Sequence, residues 1–405
     1  MSFQQSLSGL NAASKNLEII GNNVSNANTV GFKSSRAQFA DIYANSLLGS
    51  GKNSAGIGVT VQSIAQQFGQ GNITVSSNPL DVAINGSGFF RLSTGGAITY
   101  TRNGQFQVDK DSYLVNASGA RVTGYPADPN GNVVQTAPVE LALSTADLAP
   151  KATASSKLVA NLDSRTTTTI AAPFNPNDAT TYHTASGLTV YDSLGNERIM
   201  QVFFRRTAPN TWEVFMSEGG TALNGGAAVG TLNFTTGGVL TPTAPFNISF
   251  TSTNGAVTPQ VFTLDFAGTT QFGAQFGVTS ITQDGYATGK LAGFSIGTDG
   301  VILGRYSNGQ TRAQGQIVLS SFANPQGLVP LGDNQWAESS ISGQPVVGAP
   351  QGGNLGNLQS GALEESNIDL TRELVDMITA QRVYQANAQT IKTQDQMLQT
   401  LVNLR

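Results

Sequence analysis

The side chains in this sequence that could carry covalent or metal chemistry are few and far apart. His183 is the single histidine, and there is no cysteine. Two histidines at zinc-ligand spacing are therefore excluded, and a Ser-His-Asp triad would have to pass through His183. Thiol catalysis, iron-sulfur ligation and disulfide frameworks are excluded with the missing cysteine. His183 lies in a threonine-rich linker and reads as an ordinary exposed residue. Two carboxylate pairs occur. Glu364-Glu365 precedes a helical pattern, where negative charge favours the helix N-terminus, and Asp109 with Asp111 falls in a turn. DPNGN at Asp128 lacks the alternating acids and closing Glu of a calcium loop, so it reads as a turn. GSGK at Gly49 lacks the earlier Gly of a phosphate loop. Arg205-Arg206 closes a strand and reads as a solvated edge. The chain therefore reads as a non-enzyme, with no catalytic, cofactor-binding or metal-binding set.

Composition points the same way. Charged residues make up 11% of the 405, against about a quarter in ordinary soluble domains, and 46 are Gly. A net charge of -4 supplies no basic field for nucleic acid or an anionic membrane surface. No uncharged apolar run approaches the roughly 20 residues of a membrane span. The opening MSFQQSLSGLNAASKNLEII has no basic n-region, continuous apolar stretch or cleavage site, so export would not use a cleaved secretory signal. Low charge without cysteine fits an extracellular structural protein. The length suits two to three domains.

The elements that organise such a chain differ between its ends and its middle. Phe3, Leu10, Leu17 and Val24 recur every seven residues, with Leu7, Ala13, Ile20 and Ala27 beside them, which predicts an amphipathic helix. Gly21 or Asn22 would cap it, leaving Val24 and Ala27 beyond its end. Leu370, Met377, Tyr384, Ile391 and Leu398 repeat the spacing, joined by Leu374, Ala388 and Val402, with Ser366 and Asp369 as a capping signal and no Gly or Pro from 362 onward. The polar face of this second helix carries Gln381, Gln385, Asn387, Gln389, Gln394, Gln396 and Gln399, amides that can be satisfied in a crowded assembly at less cost than charges. Isolated helices of this length are marginal in water. Packing against neighbours in an assembly is expected to order them, the alternative being a helical hairpin docked on the chain's own β core.

Between the ends the pattern is β. Asn85-Gly86, Asn103-Gly104, Asp299-Gly300 and Asn308-Gly309 each separate short apolar or alternating runs and predict hairpins. Threonine- and proline-rich flanks set 147–284 apart as an inserted β domain. The fold class is thus mainly β with α-helical termini, in nested discontinuous domains. Residues 1–30 with 362–405 form a coiled-coil-like core layer, 31–79 a linker and extended arm, 80–146 with 285–361 an inner β domain, and 147–284 an outer one.

The ends also carry long motifs. SGLNAASKNLEIIGNNVSNANTVGFKSSRAQFAD, Ser8 to Asp41, resembles the N-terminal signature of bacterial flagellar rod and hook proteins, in particular at Gly21, Asn22, Asn23, Asn26, Thr29, Gly31, Phe32 and Lys33. Gly361 to Arg405 resembles the C-terminal signature of the same family, including SNIDL and the MITAQRVYQAN core with Gln381, Arg382, Tyr384 and Asn387. NPLDVAINGSGFFRL and YTRNGQFQVD are similar to interior stretches of that family.

The resemblance implies a structural subunit, and the length with the inserted domain looks like the hook members of the family. It implies a homopolymer outside the cell, a curved tube between rod and filament that bends freely while transmitting torque. Its implied partners are copies of itself, rod proteins, the hook cap, hook-filament junction proteins and the flagellar type III export apparatus. The seams at Phe3, Leu7, Leu10, Leu17, Ile20, Val24, Leu370, Leu374, Met377, Tyr384, Ile391, Leu398 and Val402 are the expected assembly interface. A rigid distal-rod protein of the same family and an extracellular β-rich adhesin or glycan hydrolase are the competing readings.

Overall fold

The computed structural model describes residues 2–42, 56–167, 170 and 173–402. The GSGK run at Gly49 and the side chain of Val402 lie outside the described residues. The chain divides into two compact units, one of residues 1–145, 293–305 and 311–405, the other of residues 146–292 and 306–310.

The first unit contains both helices. Helix α1, Ser2–Ser25, runs on through Gly21 and Asn22, so Val24 is inside it rather than beyond its end. At its end Ser25 Oγ and Asn26 Nδ2 donate back to the Gly21 and Asn22 carbonyls, side-chain bonds that compete with continuation of the helix. Helix α2, Leu370–Val402, starts one residue after Asp369, whose Oδ1 accepts from the backbone N–H groups of Thr371 and Arg372. Asp369 alone is thus the N-cap, and Ser366 takes no part in it. After α1 come β1, Ser35–Ile42, and β2, Gly58–Gln66, an antiparallel pair with a bulge at Gln38/Phe39. A short β3, Ile73–Val75, pairs with Ala362–Glu364, and β4, Val82–Asn85, pairs with Asn357–Ser360.

The main sheet of this unit follows the hydrogen-bonded order Thr311–Ile317, Arg121–Pro126, β5 (Phe89–Thr94), β6 (Ala97–Thr101), Gln335–Ala337, Val329–Gly332. Its core gathers Val82, Ile84, Phe90, Leu92, Phe106 and Leu358. A second cluster of Phe89, Tyr100, Phe322 and Trp336 takes in Phe68, whose ring meets Trp336 edge-on at 5.6 Å. Turn chemistry is fulfilled at Asn308-Gly309, which joins two antiparallel strands, and at Asp299-Gly300. It is not at Asn85-Gly86 or Asn103-Gly104, because β4 takes Asn357–Ser360 as partner and β6 pairs with β5 through Gly95-Gly96. Gly104 serves close approach instead. Its carbonyl accepts from Val82 N–H, and a Cβ built on it would overlap the Val82 carbonyl.

The second unit is a β-sandwich. One sheet is ordered Phe246–Phe250, Gln260–Asp265, Ser155–Asn161, Gly277–Gln283, and the other is built on Thr184–Tyr191, Glu197–Ala208 and Thr211–Glu218. Alternation sends Met200, Val202 and Phe204 into a core shared with Trp212, Leu158, Phe262 and Leu264. On the opposite face Phe203 and Phe215 pack against Phe174, so the Glu197–Ala208 strand is covered on both sides. Arg205 and Arg206 do not solvate an edge. Arg205 pairs with Glu213 at 2.7 Å, and Arg206 donates to the Ser164 and Thr166 carbonyls.

Two polar positions, His183 and Asp192, contribute to the acid response of this unit. Backbone N–H of Arg206 donates to His183 Nδ1 at 3.0 Å, which fixes the ring proton on Nε2, 2.6 Å from the Thr167 carbonyl. His183 is half-buried rather than exposed, and burial pushes its pKa below the usual 6.5, with Arg206 and Arg205 adding to the effect. Burial works to raise the Asp192 carboxyl, but hydrogen bonds from Asn254, Asn196 and Leu194 outweigh it and bring the pKa to about 2. Both folded-state values lie below the unfolded ones. The stability they supply is therefore present above the unfolded pKa and lost as pH falls. In a Trp336→Phe background, urea unfolding read by Trp212 fluorescence should weaken in two steps, the first starting below about pH 6.5. The second, below about pH 4, draws roughly 2 kcal/mol from Asp192 at 1.36 per pK unit, and Asp192→Asn should remove that share. A flat profile from pH 7 to 3 contradicts both assignments.

Candidate assembly surface and closure of the chain ends

Helices α1 and α2 lie antiparallel, with Gly9 against Asn387 and Asn23 Nδ2 3.3 Å from Glu373 Oε1. A Cβ added at Gly9 would come within 2.9 Å of the Asn387 amide, so the close approach depends on that glycine. Between the helices and the β1–β2 pair runs a groove of about 730 Å³, lined among others by Ala12, Ile20, Asn23, Arg36, Glu373 and Ala380. Ala12, Ala13, Ile19, Ile20 and Ala380 are buried here beside the polar pairs, so small, polar and a few apolar residues share the intramolecular side of the helices. Most large residues of the α2 apolar repeat are not covered by this contact.

Its residues remain open to solvent in the single chain. Leu370, Leu374, Tyr384 and Leu398 are exposed, Leu398 by 60%, Ile378 widens the stripe, and Val375 and Met397 are exposed on other faces of α2. Met377 and Ile391 are half-buried. On α1, Phe3 and Leu7 are exposed, Leu10, Leu17 and Val24 half-buried, and Ile20 buried. A stripe of this extent exceeds the singly scattered apolar residues of an ordinary protein surface. Gln381 and Arg382 are exposed beside it, and Asn387 is spent on the Gly9 contact.

The signature residues at the N-terminal end do different work. Asn23 Oδ1 accepts from Ser35 N–H while its Nδ2 donates to the Ser35 carbonyl, closing the turn that leaves α1. Asn26 Oδ1 accepts from Thr29 Oγ1 within that turn, Gly31 holds φ 72°, and Phe32 and Asn22 stay at the surface side. Lys33 is fully buried. Its Nζ lies 2.6 Å from Glu364 Oε1 and donates to the Gly69 carbonyl at 2.8 Å. Glu364 Oε2 accepts from Arg102 Nη1 at 3.1 Å, and Arg102 donates on to the Gly86 carbonyl and stands over the Phe89 ring. Gly71 N–H donates to Glu364 Oε1, and Gly31 N–H to the Glu364 carbonyl. Burial lowers the pKa of both Lys33 and Arg102, with Glu364 opposing.

Glu364 therefore does not serve the helix dipole, as its sequence position suggested. It sits in the strand before the turn to α2 and takes two buried cations. Sequence reading gave Arg102 no role at all. A usable signal existed, since VGFKSS, YTRNGQF and SGALEES each carry one type of charge in otherwise neutral surroundings within a chain only 11% charged.

Comparison with known proteins follows the same division. The chain matches family models described as Flagella basal body rod protein at residues 3–33, Flagellar hook protein FlgE/F/G D1 domain at 83–153, Flagellar basal body protein FlaE D2 domain at 161–286 and Flagellar basal body rod FlgEFG protein C-terminal at 359–404. It is 44% identical to the flagellar hook protein FlgE of Salmonella typhimurium over 412 residues, covering 100% of both chains. To that of Escherichia coli K12 it is 42% identical over 410 residues, again at 100% of both, and to that of Borreliella burgdorferi 34% over 439 residues, 100% of this chain and 99% of the other. The crystal structure of Helicobacter pylori flagellar hook protein FlgE2 shares the fold with a TM-score of 0.55 at 15% identity, over 72% of this chain and 100% of that one. With a helix at each end, β units between them and whole-length identity of this order, the chain belongs to the flagellar hook protein family.

Proposed function

We propose that this chain polymerises with copies of itself into a short curved tube outside the cell, a joint that passes torque from the flagellar rod to the filament while bending. The observation that carries the reading is the apolar stripe Leu370, Leu374, Ile378 and Leu398, left open to solvent on α2 in the single chain. A stripe that does not meet itself across a two-fold axis makes a heterologous contact, and such contacts propagate into rings or helical tubes. Residues 1–30 and 362–405 would form the inner wall, where exposed amides such as Gln381, Gln385 and Gln389 suit a channel through which unfolded chains pass. On this reading the subunit is structural and carries out no catalysis. It would leave the cell through the flagellar type III apparatus and meet rod, cap and junction proteins at its two ends.

The test is electron microscopy of purified full-length protein before and after addition of a sulfate or phosphate salt, which strengthens apolar burial. Curved tubes that form only with both termini intact are the expected result. Straight stiff rods would assign the chain to the drive shaft, and a monomer at all salt concentrations would refute self-assembly.

A further inference from the structure

The Lys33–Glu364–Arg102 cluster joins four stretches that are distant in sequence: the exit from α1, the Gly69–Gly71 segment, the turn after β6 and the strand Ala362–Glu364. Side-chain exposure is 0% for Lys33 and Glu364 and 5% for Arg102. Two cations share one anion in the interior, so the three members are not equivalent. Without either cation the carboxylate keeps one partner. Without Glu364 both cations are left buried and unpaired, which is the costliest way to break such a set. The cluster also stands where both helices leave the β region of this unit, since Lys33 follows the turn out of α1 and Glu364 shortly precedes the α2 N-cap Asp369.

We propose that this triad is a latch that fastens the helix pair to the β region of the first unit, and that it closes only when the strand Ala362–Glu364 seats and delivers the shared carboxylate. Until then Lys33 and Arg102 have no anion to enter the interior with, so the segments carrying them stay loose. The latch couples the two chain ends through charge, independently of the helix contact, and as a property of the single folded chain it does not rest on the assembly reading. It also explains why a lysine, which ordinarily avoids full burial, sits at the end of the N-terminal signature.

The test is thermal unfolding with hydrogen exchange on full-length monomer at low salt. Glu364→Gln should lower the melting of the first unit by about 10 °C. It should also speed amide exchange in 31–36 and 69–75 by about tenfold or more, with the second unit unchanged. Lys33→Met and Arg102→Leu should each produce less than half that loss. The charge-free combination Lys33→Met, Arg102→Leu, Glu364→Met should melt within a few degrees of the native chain yet keep the fast exchange, because burial is restored without the fastening. Equal losses in all three single variants would overturn the proposal, as would native protection of 31–36 and 69–75 in the combination. If Glu364→Gln does not fold, the combination alone decides.

Discussion

Leu398→Asp leaves the monomer's melting unchanged and abolishes tubes. Leu398 is 60% exposed in the single chain, so a carboxylate there meets water and alters stability by no more than about 0.5 kcal/mol. In the proposed tube the same position would be covered by a neighbouring subunit, and burying an unpaired charge costs several kcal/mol. At about 1.4 kcal/mol per tenfold, a penalty of roughly 4 kcal/mol raises the concentration needed for assembly about a thousandfold, beyond any preparation. Leu374→Asp behaves alike, Leu374 being exposed by 48%. Leu17→Asp should also block assembly but lower melting as well, because Leu17 is half-buried against its own chain. Pelleting at increasing protein concentration, with calorimetry on the same samples, separates the two effects. Tubes of Leu398→Asp at the native critical concentration would remove α2 from the interface.

Gly104→Ala unfolds the first unit while the second keeps its transition. A methyl group at this position has no space: it overlaps the Val82 backbone carbonyl, which cannot rotate away, and it crowds the buried Phe90 ring. β4 would have to part from Gly104, losing the Val82 N–H bond to the Gly104 carbonyl at 2.9 Å and opening the core that Val82 and Ile84 help fill. A loss above about 4 kcal/mol follows, in the range reserved for backbone conflict inside a packed core. Gly187→Ala is the matched control. It lies on a strand with ordinary φ and nothing within 4 Å of the added Cβ, so it should stabilise by about 0.4–1 kcal/mol. Separate transitions read from Trp336 in the first unit and Trp212 in the second would show which one is lost. Native melting of Gly104→Ala would mean that β4 does not pack against the turn after β6.

Local signals were legible wherever the information was local. The seven-residue repeats of Phe3 to Leu17 and Leu370 to Leu398 mark α1 and α2 because a helix presents every third or fourth residue on one face. Asn308-Gly309 marks its hairpin because the two strands are neighbours in sequence. Asn85-Gly86 and Asn103-Gly104 carry the same dipeptide and join no hairpin, since β4 pairs with Asn357–Ser360. A turn dipeptide fixes the bend of the chain, not the partner of the strand beside it.

The same distinction holds for the site. Sequence by itself determined that the protein has no cysteine or paired histidine chemistry, that its ends are amphipathic helices with the signatures of flagellar axial proteins, and that its middle is β. Residue types and short spacings suffice for each, because periodicity and side-chain chemistry belong to the covalent chain. Only the tertiary structure decided that Gly9, Ala12 and Asn387 make the helix contact and leave Leu374 and Leu398 free, and that Lys33, Arg102 and Glu364 share one buried cluster across more than 300 residues. The burial of a charge depends on what distant segments bring to it, and no local spacing encodes that meeting.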